Sequence, residues 1–376
     1  MKRSLSNTKK IILSCCILIA LFLSLDLTLG FFEPAPMKKI RTTIRTQHPY
    51  YHHGLKPCKT ARFEEAGSGK GYPLTTNSLG FRDSSMRQVP LKTQKKRILF
   101  IGDSFTEGIF VPYESIFTSQ IALKRPDLDI LNAGVGSYCP LIYYRKVDYL
   151  LNKVNLKFDE LFVLIDISDI QDEYILNDLE RFKPTIEKSF LNDVLFHTER
   201  FFYNHSFIYN VLRQIFITPS EKLKRLGETE MWTLNQPIFD HFNLNMNEES
   251  IRKWSGKGMV YAEENMQKLV DLCKKNKIPV TIVVYPWEIQ VHVRDMPSQQ
   301  EIIWQSFAQK NGIGFLDLFP AFINSMPSDK VIKSYFLPGD FHWNESGHAF
   351  VAGEVLNYIE KRDKKNLTLQ DGGFKK

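Results

Sequence analysis

A serine hydroxyl is a poor nucleophile until a base accepts its proton, and the base works best when a carboxylate holds its other ring nitrogen. Three residues of this chain have types and spacing suited to those roles. Ser104 lies in Gly102-Asp103-Ser104-Phe105-Thr106-Glu107-Gly108, and Asp340 and His342 lie in Gly339-Asp340-Phe341-His342-Trp343-Asn344-Glu345-Ser346-Gly347-His348. An aspartate and a histidine two positions apart point to one side only in an extended or turn segment, and Pro338-Gly339 just upstream favours such a loop. His348 is the competing base, although its place in the following helix turns it toward the core. Two more polar segments follow apolar runs, Asn132-Ala133-Gly134-Val135-Gly136-Ser137-Tyr138 and Asp166-Ile167-Ser168-Asp169.

The elements that must position these residues are legible from the apolar runs. Arg97 to Ile101, Leu128 to Leu131, Leu161 to Ile165, Val280 to Tyr285 and Gly314 to Leu318 read as buried strands. Helical spacing falls between them, over Tyr113 to Arg125, Leu141 to Asn152, Glu263 to Lys275 and Gln299 to Lys310, with a last helix from Ser346 to Lys361. Alternating strands and helices with short connections predict a three-layer α/β/α domain over residues 96–361, with a five-stranded parallel, doubly wound, flavodoxin-like sheet. A helical insertion interrupts it over about residues 172–257. Residues 33–95 read as a stalk and irregular lead-in, and residues 362–376 as a polar tail. In such a sheet the site lies beyond the carboxyl ends of the strands, where each of the polar segments named above is expected.

At these residues the chain resembles the SGNH or GDSL hydrolase superfamily. Gly102-Asp103-Ser104 is similar to the family's first block, the Asn132 to Tyr138 loop to its second, and Asp340-Phe341-His342-Trp343-Asn344 to its C-terminal block. Asn77-Ser78-Leu79-Gly80-Phe81-Arg82-Asp83 looks like the segment before the first block in envelope-associated bacterial members. The resemblance spans about residues 75–360. It implies Ser104 as nucleophile, His342 as base, Asp340 as its orienting carboxylate, and an oxyanion hole drawn from Ser104, Gly136, Ser137 and Ser168. The chain departs from the pattern at the third block, where Ser168 stands in place of the family's asparagine. Removing one oxyanion donor costs on the order of 100- to 1,000-fold in rate in other enzymes, so this departure bears on activity. The implied function is a serine-dependent ester hydrolase or O-acyltransferase working through an acyl-Ser104 intermediate on carbohydrate esters of the cell envelope. The alternative is a catalytically degenerate binding or accessory module of an envelope acylation system. A lipid ester is the other substrate class, and a membrane acyltransferase is the partner the transferase reading implies.

Charge and composition narrow the setting. The 376 residues carry a formal net charge of +7, and Lys2, Arg3, Lys9, Lys10, Lys38, Lys39, Arg41 and Arg45 against Asp26 and Glu33 supply six of those charges before residue 46. The remainder is nearly neutral, which gives no footing for nucleic acid. The basic N-terminus abuts an apolar run from Ile11 to Phe32 broken only by Asp26, so residues 1–32 read as a signal anchor or a cleavable signal peptide. Positive-inside logic then places the rest in the periplasm or outside the cell, held at the inner membrane or secreted. Cys58, Cys139 and Cys273 form no disulfide framework. Gly67-Ser68-Gly69-Lys70-Gly71 lacks the spacing of a phosphate-binding loop. His48, His52, His53 and Cys58 lack paired ligand spacing, so packing is the better reading than zinc, and no cofactor or metal is expected. Asp166 and Asp169 read as tuning or structural groups. Trp232, Trp254, Trp287 and Trp304 read as core or interface aromatics rather than sugar platforms.

Overall fold

Five apolar runs become the parallel strands of one sheet. The computed structural model describes residues 44–64, 71–178 and 249–372, together with single positions between 10 and 29 and between 198 and 212. Contacts divide the chain into two units, Met1–Thr43 with Thr185–Asp240, and Ile44–Pro184 with His241–Lys376.

In the second unit the parallel strands are β6 (Lys96–Ile101), β7 (Leu128–Asn132), β8 (Glu160–Ile165), β9 (Val280–Val284) and β10 (Gly314–Asp317). Before them come β1 (Arg45–His48), β2 (His52–Leu55), β3 (Thr60–Glu64), β4 (Gly71–Thr76) and β5 (Arg82–Asp83). The main sheet has the order β10-β9-β8-β6-β7-β5-β4-β3, and β1 pairs with β2 as a separate hairpin. Every residue of β8 and β9 is buried, as expected of parallel strands covered on both faces. The helices are α1 (Ser104–Glu107), α2 (Phe117–Lys124), α3 (Pro140–Tyr149), α4 (Ser168–Asp178), α5 (Glu249–Lys275), α6 (Glu288–His292), α7 (Gln299–Asn311), α8 (Phe319–Ile323), α9 (Ser328–Tyr335) and α10 (Glu345–Gly372). Helices α3, α4 and α5 pack together, α2 packs with α10, and α7 packs on β9 and β10, giving the three-layer α/β/α arrangement.

Two elements differ from the sequence reading. The lead-in is not irregular: β5, β4 and β3 extend the sheet antiparallel from the free edge of β7, so the sheet has eight strands rather than five. In β4 burial alternates, with Tyr72, Leu74 and Thr76 inward and Pro73 exposed, and a proline inside so short a strand hides that alternation. The last helix runs past Lys361 to Gly372, because nothing before Gly372-Gly373 breaks it. Arg362 anchors that extension with paired hydrogen bonds to Glu160.

The sheet order places the reversal at β6. The chain moves outward from β6 to β7, then returns across β6 to β8 and continues to β9 and β10. The crevice between the carboxyl ends of β6 and β8 is therefore the topological switch point, where open α/β sheets bind ligands.

In the first unit, the described positions from Leu13 to Leu29 are helical. Leu13, Ile17, Leu18, Leu21 and Leu25 are each at least half exposed, while Asp26 is buried and accepts the backbone N–H of Ile208 at 2.6 Å. The rest of Ile11 to Phe32, and most of the 172–257 insertion, lie outside the described residues. Among the described residues no helix is long and apolar enough to cross a membrane.

Candidate active site

Ser104 owes its position to a tight exit from β6. Gly102 allows the Thr106 side chain into the space a Cβ would fill, its Oγ1 lying 2.1 Å from that point. Asp103 caps α1 by accepting the Phe105 N–H at 2.9 Å, and Gly108 ends the helix in a left-handed conformation at φ 73°. The last carbonyl of α1 and two just beyond it are taken by Arg82, whose buried guanidinium donates to the carbonyls of Glu107, Gly108 and Val111. A strand of the lead-in thus holds the turn that presents the serine.

Asp340 and His342 reach the same place from the loop before α10. His342 Nε2 lies 2.8 Å from Ser104 Oγ, and His342 Nδ1 lies 2.6 Å from Asp340 Oδ1. Asp340 Oδ1 also accepts the backbone N–H of His342 at 2.8 Å, which locks the extended Asp-x-His geometry. Burial works to raise the Asp340 carboxyl, but the hydrogen bonds and charge of His342 outweigh it and hold it below its ordinary value. Asn344 secures the loop, donating to the Ser334 and Phe336 carbonyls and accepting from Gly347 N–H. His348 is not part of this relay. It is buried, stacks on Phe117 and accepts the Phe117 N–H at 3.4 Å, and burial lowers its pKa to about 3.

Beneath Ser104 lies a group of carboxylates from β6 and β8. Asp103 Oδ1 accepts from Tyr285 Oη at 3.1 Å, and Asp166 Oδ2 accepts from Trp287 Nε1 at 2.7 Å. Burial, reinforced by the neighbouring Asp166, raises the Asp103 carboxyl well above its ordinary range. Ser104 Oγ is also within donating distance of Asp103 Oδ2, at 3.3 Å, a longer contact than the one to His342. Asp169 accepts from Tyr143 Oη and from Asp166 N–H, a structural use.

The oxyanion donors expected from the sequence divide into two pairs. Ser168 donates both its hydroxyl, at 2.6 Å, and its N–H, at 2.8 Å, to Asp166 Oδ1. The Gly136 N–H donates to Glu107 Oε2 at 2.7 Å. Each donor has one hydrogen, so neither group is free to serve an oxyanion in this arrangement, a correction to the expected set. The backbone N–H groups of Ser104 and Ser137 face no acceptor among the described residues, and a Cβ on the intervening Gly136 would sit 3.6 Å from Ser104 Cβ.

The loop carrying Gly136 and Ser137 is held by Asn132, Lys146, Glu107, Arg45 and His53, none of them an expected site residue. Asn132 donates to the Thr106 carbonyl at 2.6 Å and accepts from Gly134 N–H at 3.0 Å. Lys146, fully buried from α3, donates to the Ala133 carbonyl at 2.8 Å and to Tyr138 Oη at 3.0 Å. Burial drops its pKa to about 7 against the opposing pull of Glu107. Glu107 receives a bidentate contact from Arg45 at 2.9 and 3.1 Å. His53 Nε2 lies 2.8 Å from the Gly136 carbonyl. Arg45 and His53 sit in β1 and β2, whose four-residue lengths give too little periodicity to announce a hairpin. Glu107 alone carried a signal, an acidic residue within the nucleophile's own turn.

The remaining sequence candidates fall elsewhere. His48 stacks on Tyr51 at 3.6 Å between ring centroids, and Cys58 contacts the Met86 carbonyl. Trp304 is fully buried, and Trp287 stacks on Phe341 at 4.2 Å. Trp232, the side chain of Trp254 and residues 65–70 lie outside the described residues.

No protein-family model matches the chain, and no curated protein does. Among solved structures it is similar to a member of the lipolytic G-D-S-L family from Veillonella parvula, at 14% identity over 70% of this chain and 97% of that one, with a TM-score of 0.38. It is similar also to an acetylxylan esterase from Geobacillus stearothermophilus, at 14% identity over 72% and 96%, TM-score 0.38. A psychrotrophic esterase from Pseudoalteromonas matches at 10% identity over 72% and 100%, TM-score 0.39.

Proposed function

We propose that this chain is a serine-dependent ester hydrolase or O-acyltransferase of the SGNH type, working through an acyl-Ser104 intermediate. One observation carries the reading: the continuous relay from Ser104 Oγ to His342 Nε2 at 2.8 Å and from His342 Nδ1 to Asp340 at 2.6 Å, at the sheet's switch point. As Ser104 Oγ attacks an ester carbonyl, its proton passes to Nε2, and Asp340 keeps the Nδ1–H tautomer and stabilises the imidazolium. The Ser104 and Ser137 amides receive the developing oxyanion. His342 then returns its proton to the leaving alkoxide. Water resolving the acyl-enzyme makes the protein an esterase; a carbohydrate hydroxyl makes it a transferase.

A carbohydrate ester of the cell envelope is the proposed substrate class. It is supported by the block resemblance and by the basic N-terminus followed by exposed Leu13, Ile17, Leu18, Leu21 and Leu25, a surface suited to lipid. The second reading, a catalytically degenerate accessory module, draws support from the commitment of Ser168 and of the Gly136 amide to carboxylates. The test is fluorophosphonate labelling of the purified full chain in detergent, with the adduct mapped by mass spectrometry. Labelling of Ser104 that disappears in Ser104→Ala is the expected result. A folded wild-type protein that stays unlabelled, and inert to aryl acetates and acetylated sugars, would transfer the case to the accessory module.

A further inference from the structure

The two peptide units that flank Gly136 are each pinned from outside the loop. On one side the Gly136 N–H is taken by Glu107, itself clamped by Arg45. On the other the Gly136 carbonyl oxygen lies 2.8 Å from His53 Nε2. A carbonyl oxygen can only accept, so His53 Nε2 carries the proton. Its Nδ1 is then an acceptor for His52 Nδ1, 2.8 Å away. Burial lowers the His53 pKa to about 4, which keeps this neutral tautomer throughout the neutral range.

A trans peptide directs the C=O of one residue and the N–H of the next to opposite sides. The 136–137 bond is trans, since Met296-Pro297 is the cis bond of the described backbone. Fixing the Gly136 carbonyl on His53 therefore fixes the heading of the Ser137 N–H, away from the hairpin. Ser137 is held at φ 63°, a left-handed conformation that a non-glycine residue keeps only where its surroundings impose it. Tyr138 closes the arrangement, donating from Oη to the His53 carbonyl at 2.7 Å while its ring meets the His53 ring edge-on.

We infer that His53 is a positioning residue of the active site: through the Gly136 carbonyl it aims the Ser137 amide as an oxyanion donor, with the Arg45–Glu107 pair holding the preceding peptide. This rests on the acyl-serine reading above and adds to it that the β1–β2 hairpin, outside the hydrolase blocks, is part of the catalytic apparatus.

The test compares His53→Phe, which keeps a ring against Tyr138 but has no donor, with His53→Gln, whose amide can still donate to the Gly136 carbonyl. With the full chain and p-nitrophenyl acetate, kcat should fall about 10- to 100-fold in the phenylalanine variant, with KM within about twofold, and recover most of that loss in the glutamine variant. Thermal unfolding of each variant identifies loss of fold, and the Gly136 carbonyl ¹³C shift reports the hydrogen bond directly. The shift should move in His53→Phe and return in His53→Gln. Full kcat in a folded His53→Phe protein, a glutamine variant no better than phenylalanine, or an unmoved shift would overturn the inference. An inert wild type with a shift that moves as expected defeats the acyl-serine reading and leaves the hold of His53 on the peptide standing.

Discussion

His342 has a ring nitrogen on each of two oxygens, and the two contacts do different work. In the proposed mechanism the Nε2 contact carries the serine proton, whereas the Nδ1 contact with Asp340 selects the tautomer that leaves Nε2 able to accept it. Asp340→Asn keeps the shape and removes that selection, so kcat/KM on an aryl ester should drop by about 1,000- to 10,000-fold with labelling slowed in proportion. Stopped-flow assay of the purified variant checks this, and a loss under tenfold would remove Asp340 from the relay. Away from the relay, the buried His348 and His53 are neutral when folded, with pKa values lowered to about 3 and about 4. Each folded pKa lies below its unfolded value, so between them the unfolded chain binds more protons and stability falls as pH falls. The loss begins near the ordinary histidine pKa of about 6.5 and continues until pH reaches the folded value, at up to about 1.4 kcal/mol per pH unit for each residue. Denaturant unfolding at pH 7, 6, 5 and 4 should show this decline, and His348→Phe should flatten it.

Among the elements, the lead-in strands matter more to the site than their short lengths suggest. β5 pairs with β7 through Arg82 and Asn132, so both residues stand at the junction between the added strands and the parallel sheet. Arg82 caps the end of α1, and Asn132 reaches the Thr106 carbonyl within it. The helix that presents Ser104 is only one turn long and cannot hold itself together by its own hydrogen bonds. Arg82→Met keeps most of the side-chain volume and leaves three carbonyls without their donor, each worth about 1–3 kcal/mol when buried and unsatisfied. Equilibrium unfolding should record a loss of about 3 kcal/mol or more. A change below about 1 kcal/mol would mean that water replaces the guanidinium.

At the scale of the whole molecule, the proposed envelope substrate requires an exported chain. The proposed export follows from Lys9-Lys10 preceding the apolar run and from the exposed leucines along its described positions. An alkaline phosphatase fused after Lys376 and expressed in a bacterial host should be active, because that enzyme needs the oxidising periplasm for its disulfides. Stable but inactive fusions would place the C-terminus in the cytoplasm and end the envelope proposal.

How much was legible beforehand follows from the range of the interactions involved. The central parallel strands β6, β8 and β9 announced themselves because a strand buried on both faces is a continuous apolar run, as in Ile98 to Ile101 and Leu161 to Ile165. The relay was legible because serine, aspartate and histidine follow recognisable local turns, and a turn is written in a few adjacent residues. The antiparallel strands were not, since Arg82-Asp83 is too short for any period and Pro73 interrupts its neighbour. Nor was the division of the oxyanion donors. Whether the Gly136 and Ser168 donors point at a substrate or at Glu107 and Asp166 depends on where folding brings carboxylates. Arg45 and Glu107 are 62 residues apart, and His53 and Gly136 are 83. A hydrogen bond acts over about 3 Å and carries no trace along the chain, so only the tertiary structure could decide which of these amides are left without an acceptor.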